Sequence, residues 1–340
     1  MAIERDQARI VGGVRYGRST GAPIALVIQN RDAANWVGVL DVEAPAQAAE
    51  PVRVPRPGHA DLGGALLYGH EDLRDVIERA SARETAARVA VGAVARRLLE
   101  HVGCRLGSHV VAVGGERADA AAVAERLAEA GWPAAADADP VRCLDAAASE
   151  RMQSAIRAAG ERGDTLGGVF EVLAMGCPAG LGSYVQFDCR LSSRLAAAVM
   201  SIPAIKGVEI GGGFALAAAP GSQVHDEIAW EPETGYRRNT NRAGGVEGGM
   251  STGETIVVRA AMKPIATLTS PLATVEMGSH LAVQARVERS DVCAVPAAAV
   301  VAEAMVALCL ADALLERFGG ASLVELDDAL AAAKRRTAEL

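Results

Sequence analysis

The chain has 340 residues, 34 Lys and Arg against 42 Asp and Glu, a formal charge of −8, and half of its residues are apolar. That length and apolar content suit a buried core and exclude disorder over most of the chain. The acidic balance and an aromatic content of 3% exclude a basic nucleic-acid face and a base-stacking platform.

Residues 8–11 and 24–28 read as short strands, and the Pro- and Ala-rich stretch 44–57 as an exposed loop. Over 72–101, Leu73, Val76, Ile77 and Ala80 recur at helical spacing, and Val91, Val94 and Leu98 continue the apolar face. The S-x-x-E pattern Ser81–Glu84 predicts a break there, with a second helix starting near Ala82. Strands are expected over 109–113, 169–174 and 256–261, and helices over 118–130, 144–162, 193–200, 296–318 and 322–334. Without a regular βαβ rhythm, this order favours α+β over a doubly wound sheet, and the length suits one large domain or two moderate ones.

The longest apolar stretch, 294–315, is interrupted by Glu303 and Asp312, too often to span a bilayer. The first residues lack a basic segment followed by an apolar one, so no signal peptide is expected and the chain reads as soluble and cytoplasmic. Cys104, Cys143, Cys177, Cys189, Cys293 and Cys309 form no C-x-x-C pair and predict reduced, mostly buried thiols. The lysines are Lys206, Lys263 and Lys334 alone, so anions are expected to be met by guanidinium forks.

Several segments carry polar chemistry. Arg56-Pro57-Gly58-His59-Ala60-Asp61 can hold an anion and present an imidazole for proton transfer near neutral pH, though a solvated turn could have the same residues. Arg79, Ser81 and Arg83 flank a helix start, where free N–H groups attract oxyanions, or where an ordinary cap would suffice. The run 244–253 is glycine-rich enough for backbone to approach a ligand, yet matches neither a P-loop nor a dinucleotide fingerprint; a mobile linker is the other reading. Lys263 to Thr267 follows a strand, and Arg289-Ser290-Asp291 precedes the C-terminal helices. No metal-ligating motif occurs in the sequence.

Together these segments resemble chorismate synthase. The likeness runs in order through Ser19–Leu26, Asn30-Arg31-Asp32, Arg56–Asp61, Arg79–Thr85, Lys206–Gly211, Asn239–Gly253, Lys263–Thr267 and Arg289–Pro296. It implies a single domain over residues 1–340 built as a β-α-β sandwich, a homotetramer, and a 1,4-anti elimination of phosphate from 5-enolpyruvylshikimate 3-phosphate in the shikimate pathway of aromatic amino acid biosynthesis. It also implies a flavoprotein using reduced FMN, with NADP among the family's associated nucleotides. An external flavin reductase is expected to supply the reduced flavin, since no extra domain suggests a built-in one. By the same resemblance, Arg56, Arg83 and Arg289 bind substrate, and His59 and Asp291 are catalytic. Arg79, Ala80, Ser81, Pro203, Ala204, Gly248, Lys263, Pro264, Ile265, Ala266, Thr267 and Arg289 then hold the flavin. Pro203 stands where the family often has an amide, and Ala33 where an aromatic is frequent. The family's Gly-Glu-Ser-His-Gly and Gly-Tyr-Gly-Arg segments do not occur, and Met1 aligns with an internal methionine of the family. This leads to the expectation of a chain truncated at its N-terminus, and to an alternative reading as an impaired FMN-binding remnant.

Overall fold

The computed structural model describes residues 6–43, 49–232, 235–288 and 290–339. The chain divides into two compact units, residues 1–91 with 266–290, and residues 92–265 with 291–340.

In the first unit the strands Ala8–Gly12 and Ala25–Ile28, each with an adjacent pair of β-branched residues, pair antiparallel. Helices Asp61–Tyr68 and Arg74–Ala80 follow, then a short 3-10 turn Ala82–Glu84 before helix Thr85–His101. The predicted break near Ala82 is therefore present. Ser81 caps it by accepting from the Arg83 N–H at 3.3 Å, whereas Glu84 pairs with Arg88 instead of completing a capping box. Part of the expected exposed loop lies outside the described residues, and the rest corrects that expectation. Val52 and Arg56 are buried, because the Val52 carbonyl and N–H are taken by the Leu73 N–H and Asp72, and the Arg53 carbonyl by the Met277 N–H. Such tethers satisfy backbone groups that a buried segment cannot leave to water. Val52, Ala65 and Leu73 form a small core there, with Ile77 and Met277 packed on it.

The second unit is built on a five-stranded antiparallel sheet. Its order is Glu116–Arg117, Arg105–Val113, Gly168–Met175, Ile256–Met262 and Ile205–Ile210. Leu106, Val110, Phe170, Val172 and Val258 alternate onto one face, buried against helix Val295–Phe318. That helix has the length and hydropathy of a membrane span, but 67% of its most apolar window is buried inside the protein, as in a core helix. Glu303 in its middle accepts from Arg96, Arg142 and Ser108 at 2.7, 3.0 and 2.6 Å, so its charge is compensated inside. On the opposite sheet face a row of cross-strand neighbours runs His109, Glu171, Arg259, Glu209, with contacts of 3.1, 2.6 and 3.5 Å.

The expected α+β class is what the structure has. Strand Ile205–Ile210 and helices Asp61–Tyr68 and Trp132–Ala138 are additions to the predicted elements. The thiol expectation is corrected at one pair: Cys104 and Cys177 form a disulfide, because the register Arg105↔Met175 carries two cysteines 73 residues apart to the same end of the ladder.

Candidate functional site

In the first unit the site is a side-chain network. Asp61 opens its helix, where a negative charge suits the positive end of the dipole. Arg56 wraps this carboxylate with its backbone N–H at 3.0 Å, Nε at 2.9 Å and Nη2 at 3.1 Å. The remaining edge of the guanidinium reaches Thr267 Oγ1 at 3.2 Å and Glu288 at 3.3 Å. His59 places Nδ1 2.5 Å from Asp61 Oδ1. A carboxylate at Nδ1 fixes the ring and leaves Nε2 as the nitrogen for proton exchange. Burial by itself would raise the Asp61 carboxyl, but the His59 and Arg56 hydrogen bonds outweigh it and hold it far below the ordinary carboxylate range. Asp61 is fully buried and Arg56 nearly so, while His59 keeps 23% of its side-chain surface. The imidazole is thus the accessible tip of a buried ionic cluster.

Arg79 lies in the last turn of helix Arg74–Ala80, followed by Ala80 and the capping Ser81. Arg83 forms a two-pronged pair with Asp6, whose carboxyl that hydrogen bond lowers. Ala266 precedes the buried Thr267. Arg289 lies outside the described residues.

In the second unit the candidate residues are held by backbone geometry. Gly248 and Gly249 form the two-residue turn between strands Val246–Glu247 and Met250–Ser251, with φ of +58° and +87°. Positive φ at both positions is what a tight hairpin turn of this twist demands. A Cβ on Gly249 would sit 2.5 Å from Arg190 Cγ, whereas one on Gly248 would meet nothing within 4 Å. The bare side of Gly248 therefore faces open space, beside a groove of about 520 Å³ lined also by Leu216, His225, Asp226 and Glu247. Asp226 anchors the preceding turn. It is buried and accepts from Thr240 Oγ1 at 2.5 Å and from the N–H groups of Arg242 and Ala243 at 2.8 Å each. Burial opposes its ionisation, and these bonds outweigh it and lower its carboxyl. Arg238 bonds Glu247 at 2.6 Å, steadying the hairpin from its other side.

Ala204, after Pro203, takes a left-handed φ of +68°, rare for a residue with a Cβ, and its carbonyl accepts the Lys263 N–H at 2.9 Å. Ile265, beyond Pro264, is fixed through its carbonyl by the Thr165 hydroxyl at 2.7 Å. Burial, and then the neighbouring Lys206, lower the Lys263 ammonium. Asp291 is exposed; the next residue, Val292, gives its carbonyl to the Leu166 N–H at 2.8 Å.

The structure thus brings Arg56, His59, Asp61 and Thr267 into one cluster, and Pro203-Ala204 beside Lys263-Pro264-Ile265 in another. Glu288 and Asp226 are not anticipated from sequence. Asp226 follows His225 in what reads as a plain turn, and only the folded contacts show its role.

The family model described as chorismate synthase matches residues 1–315. A chorismate synthase of Moorella thermoacetica is 55% identical over 342 residues, covering all of this chain and 87% of the relative. One from Trichlorobacter lovleyi is 55% identical over 337 residues, 96% of this chain and 84% of that one. A solved structure titled "Crystal Structure of Chorismate Synthase" superposes with a TM-score of 0.79 at 41% identity, covering 98% of this chain and 86% of that chain.

Proposed function

This chain belongs to the chorismate synthase family, and from that premise we propose how its residues divide the work of the reaction. The activity is that of a carbon–oxygen lyase acting on a phosphate ester. It breaks the C–O bond to phosphate and removes a proton in a 1,4-anti sense, turning 5-enolpyruvylshikimate 3-phosphate into chorismate. Identities of 55% over nearly the whole chain give no support to the alternative of an impaired remnant.

The residues fit a flavin mononucleotide by their donor chemistry. Gly248 offers backbone with open space where a side chain would stand, Ser81 a hydroxyl, Arg79 a guanidinium and Lys263 an ammonium in a cation-rich setting. Pro203, Ala204, Pro264, Ile265, Ala266 and Thr267, with Arg289, complete the proposed holding set. When bound, reduced FMN supplies electron density as the phosphate leaves.

The observation that carries the assignment of roles is the His59–Asp61–Arg56 cluster. Asp61 keeps the imidazole oriented, and Arg56 keeps Asp61 ionised in a buried place, so His59 Nε2 can give and take a proton with its geometry preset. Asp291, exposed ahead of the last long helix, is proposed as the second proton-handling group. Arg56 and Arg83 are proposed to meet the substrate's carboxylates and phosphate, together with Arg289. Arg56 Nη1 reaches Glu288 and the Arg83 fork holds Asp6, carboxylates that a substrate anion could replace. A homotetramer, a cytoplasmic setting and an external reductase for the flavin complete the proposal.

The test is an anaerobic assay with reduced FMN. Chorismate should form with no net oxidation of the flavin, and FMN should quench saturably on titration with the folded protein. Net flavin oxidation in step with product, or no saturable binding, would overturn the reading.

A further inference from the structure

The Gly248 turn sits on a hairpin with two residues in each strand, Val246–Glu247 and Met250–Ser251. A two-stranded hairpin is at best marginally stable alone, so the place of one this short is set from outside. Two anchors set it. The Gly249 carbonyl accepts the N–H of Leu191, the first residue of helix Leu191–Met200, at 2.8 Å. The first N–H of a helix has no partner within that helix, so hairpin and helix end satisfy each other. The second anchor is Ser251, which is buried and joined to residues 178–181 by four hydrogen bonds. Its N–H donates to the Leu181 carbonyl at 2.9 Å, and its carbonyl accepts the Gly180 N–H at 2.6 Å. Its hydroxyl does both: it donates to the Pro178 carbonyl at 2.6 Å and accepts the Leu181 N–H at 2.8 Å.

The 178–181 strap is itself fixed. The Cys104–Cys177 disulfide holds the residue before it, and Arg317, in the last turn of helix Val295–Phe318, donates to the Ala179 carbonyl. Leu181 is fully buried, and a Cβ on the next residue, Gly182, would fall 2.6 Å from the Gly249 carbonyl oxygen. Strap and hairpin therefore meet backbone to backbone, and a hydroxyl is a small group that can donate and accept there at once.

We propose that Ser251 is a positioning residue for the flavin, setting through its hydroxyl the backbone of Gly248, three residues before it. The proposal rests on the flavin reading of Gly248. Removing the hydroxyl takes that partner from the Pro178 carbonyl and the Leu181 N–H in a buried place, and strap and hairpin must shift to repair the loss. The short hairpin carries the shift to Gly248, whose bare side faces the groove.

The experiment compares wild type with Ser251→Ala, Ser251→Thr and Ser108→Ala by FMN titration, steady-state kinetics and melting. Ser108 is the control: its buried hydroxyl bonds Glu303 at 2.6 Å in the core, away from the hairpin. Ser251→Ala should weaken FMN roughly tenfold, the scale of one displaced hydrogen bond, with KM for 5-enolpyruvylshikimate 3-phosphate unchanged at saturating FMN. Ser251→Thr, which keeps the hydroxyl, should recover most of that affinity. Ser108→Ala should melt lower yet bind FMN as wild type does. Wild-type FMN affinity in a folded Ser251→Ala would overturn the proposal and leave the flavin reading intact. Equal weakening in Ser108→Ala would also overturn it, as a general softening of the fold. Should Ser251→Ala not fold, Ser251→Cys keeps a side chain of similar shape with weaker hydrogen bonds, and equal FMN affinity in Ser251→Cys and Ser251→Thr would overturn the role. If wild type binds no FMN, the flavin reading falls and the positioning role with it.

Discussion

The two groups of candidate residues are held by different means. Around His59 the geometry is mostly side-chain wiring: Arg56 makes five hydrogen bonds, four from its guanidinium and one from its backbone N–H, that tie together Asp61, Thr267 and Glu288. Around Gly248 and Lys263 it is backbone: positive-φ turns, a bulge, and carbonyls bound by N–H or hydroxyl groups. Wiring of the first kind fixes a proton-transfer group closely but concentrates risk in one residue. The second kind leaves side chains exchangeable and makes glycine or a strained residue the point of failure. Proton transfer needs a ring set to a fraction of an ångström, whereas holding a large planar ligand needs room and rigid walls.

The sharpest way to break this contrast is Arg56→Ala. It would leave the Asp61 carboxylate buried without its main partner, and removing one member of a buried ion pair costs about 3–5 kcal/mol. Chemical denaturation should show a loss in that range. Arg56→Lys should recover little, because one ammonium cannot replace the Nε and Nη2 pair on Asp61. A loss under about 1 kcal/mol would mean the cluster is not held as the wiring implies.

His59→Ala tests the tip of the same cluster. Asp61 would keep all three Arg56 bonds, so stability should change little while turnover falls by about 10²–10⁴. Asp291→Ala should lower turnover with even less effect on folding, since that side chain is exposed. Steady-state kinetics beside a melting curve separates the two effects. Equal turnover in wild type and both variants would remove these residues from proton transfer.

For the backbone-held group, neighbouring glycines give the sharper test. Alanine at either Gly248 or Gly249 costs about 1 kcal/mol for a left-handed φ. At Gly249 the new methyl also collides with Arg190 Cγ at 2.5 Å and the Ser183 carbonyl at 2.9 Å, so Gly249→Ala should be the less stable protein. At Gly248 it meets nothing, so Gly248→Ala should lose only that backbone contribution but bind FMN more weakly. Unchanged FMN affinity in a folded Gly248→Ala would count against its place at the ligand.

What could be read from sequence follows this division. Long periodic elements such as Ala146–Glu161 and Val295–Phe318 declare themselves, since an apolar repeat sustained over four or more turns is the mark of a helix with a buried face. Helix Asp61–Tyr68 does not, because eight residues with Gly63 and Gly64 after Pro57-Gly58 look like a loop. Strand Ile205–Ile210 is masked by Gly207 and by a bulge, which only its partner strand reveals. In the site, Arg56, His59 and Asp61 lie within six residues, so their association is local and legible. Thr267 and Glu288 join them from 211 and 232 residues away, and no spacing rule reaches that far. The Cys104–Cys177 pair is illegible for the same reason, being a product of strand register.

The smallest expected effect concerns Asp226, a carboxylate that holds backbone N–H groups within the backbone-held group. Burial would raise its carboxyl, but the Thr240 hydroxyl and the Ala243 and Arg242 N–H groups more than offset this and keep it below the ordinary value near about 3.9. A carboxyl depressed in the folded state takes up a proton first in the unfolded one. Its contribution is therefore fully present above about pH 4 and is lost as the pH falls through the depressed folded value. Asp226→Asn keeps an oxygen for Thr240 and Arg242 but can offer only an amide nitrogen where Ala243 now donates. It should cost about 1 kcal/mol near neutrality, one lost hydrogen bond, and should flatten the acid limb of the stability curve. Asp61 titrates in the same acid window with the same sign, so part of the limb should remain in Asp226→Asn. Denaturant midpoints between about pH 3 and 7 would measure both. An acid limb identical to that of wild type would show that the 240–245 turn is held by its glycines and by Asn241, and that the backbone-held group needs no charge at all.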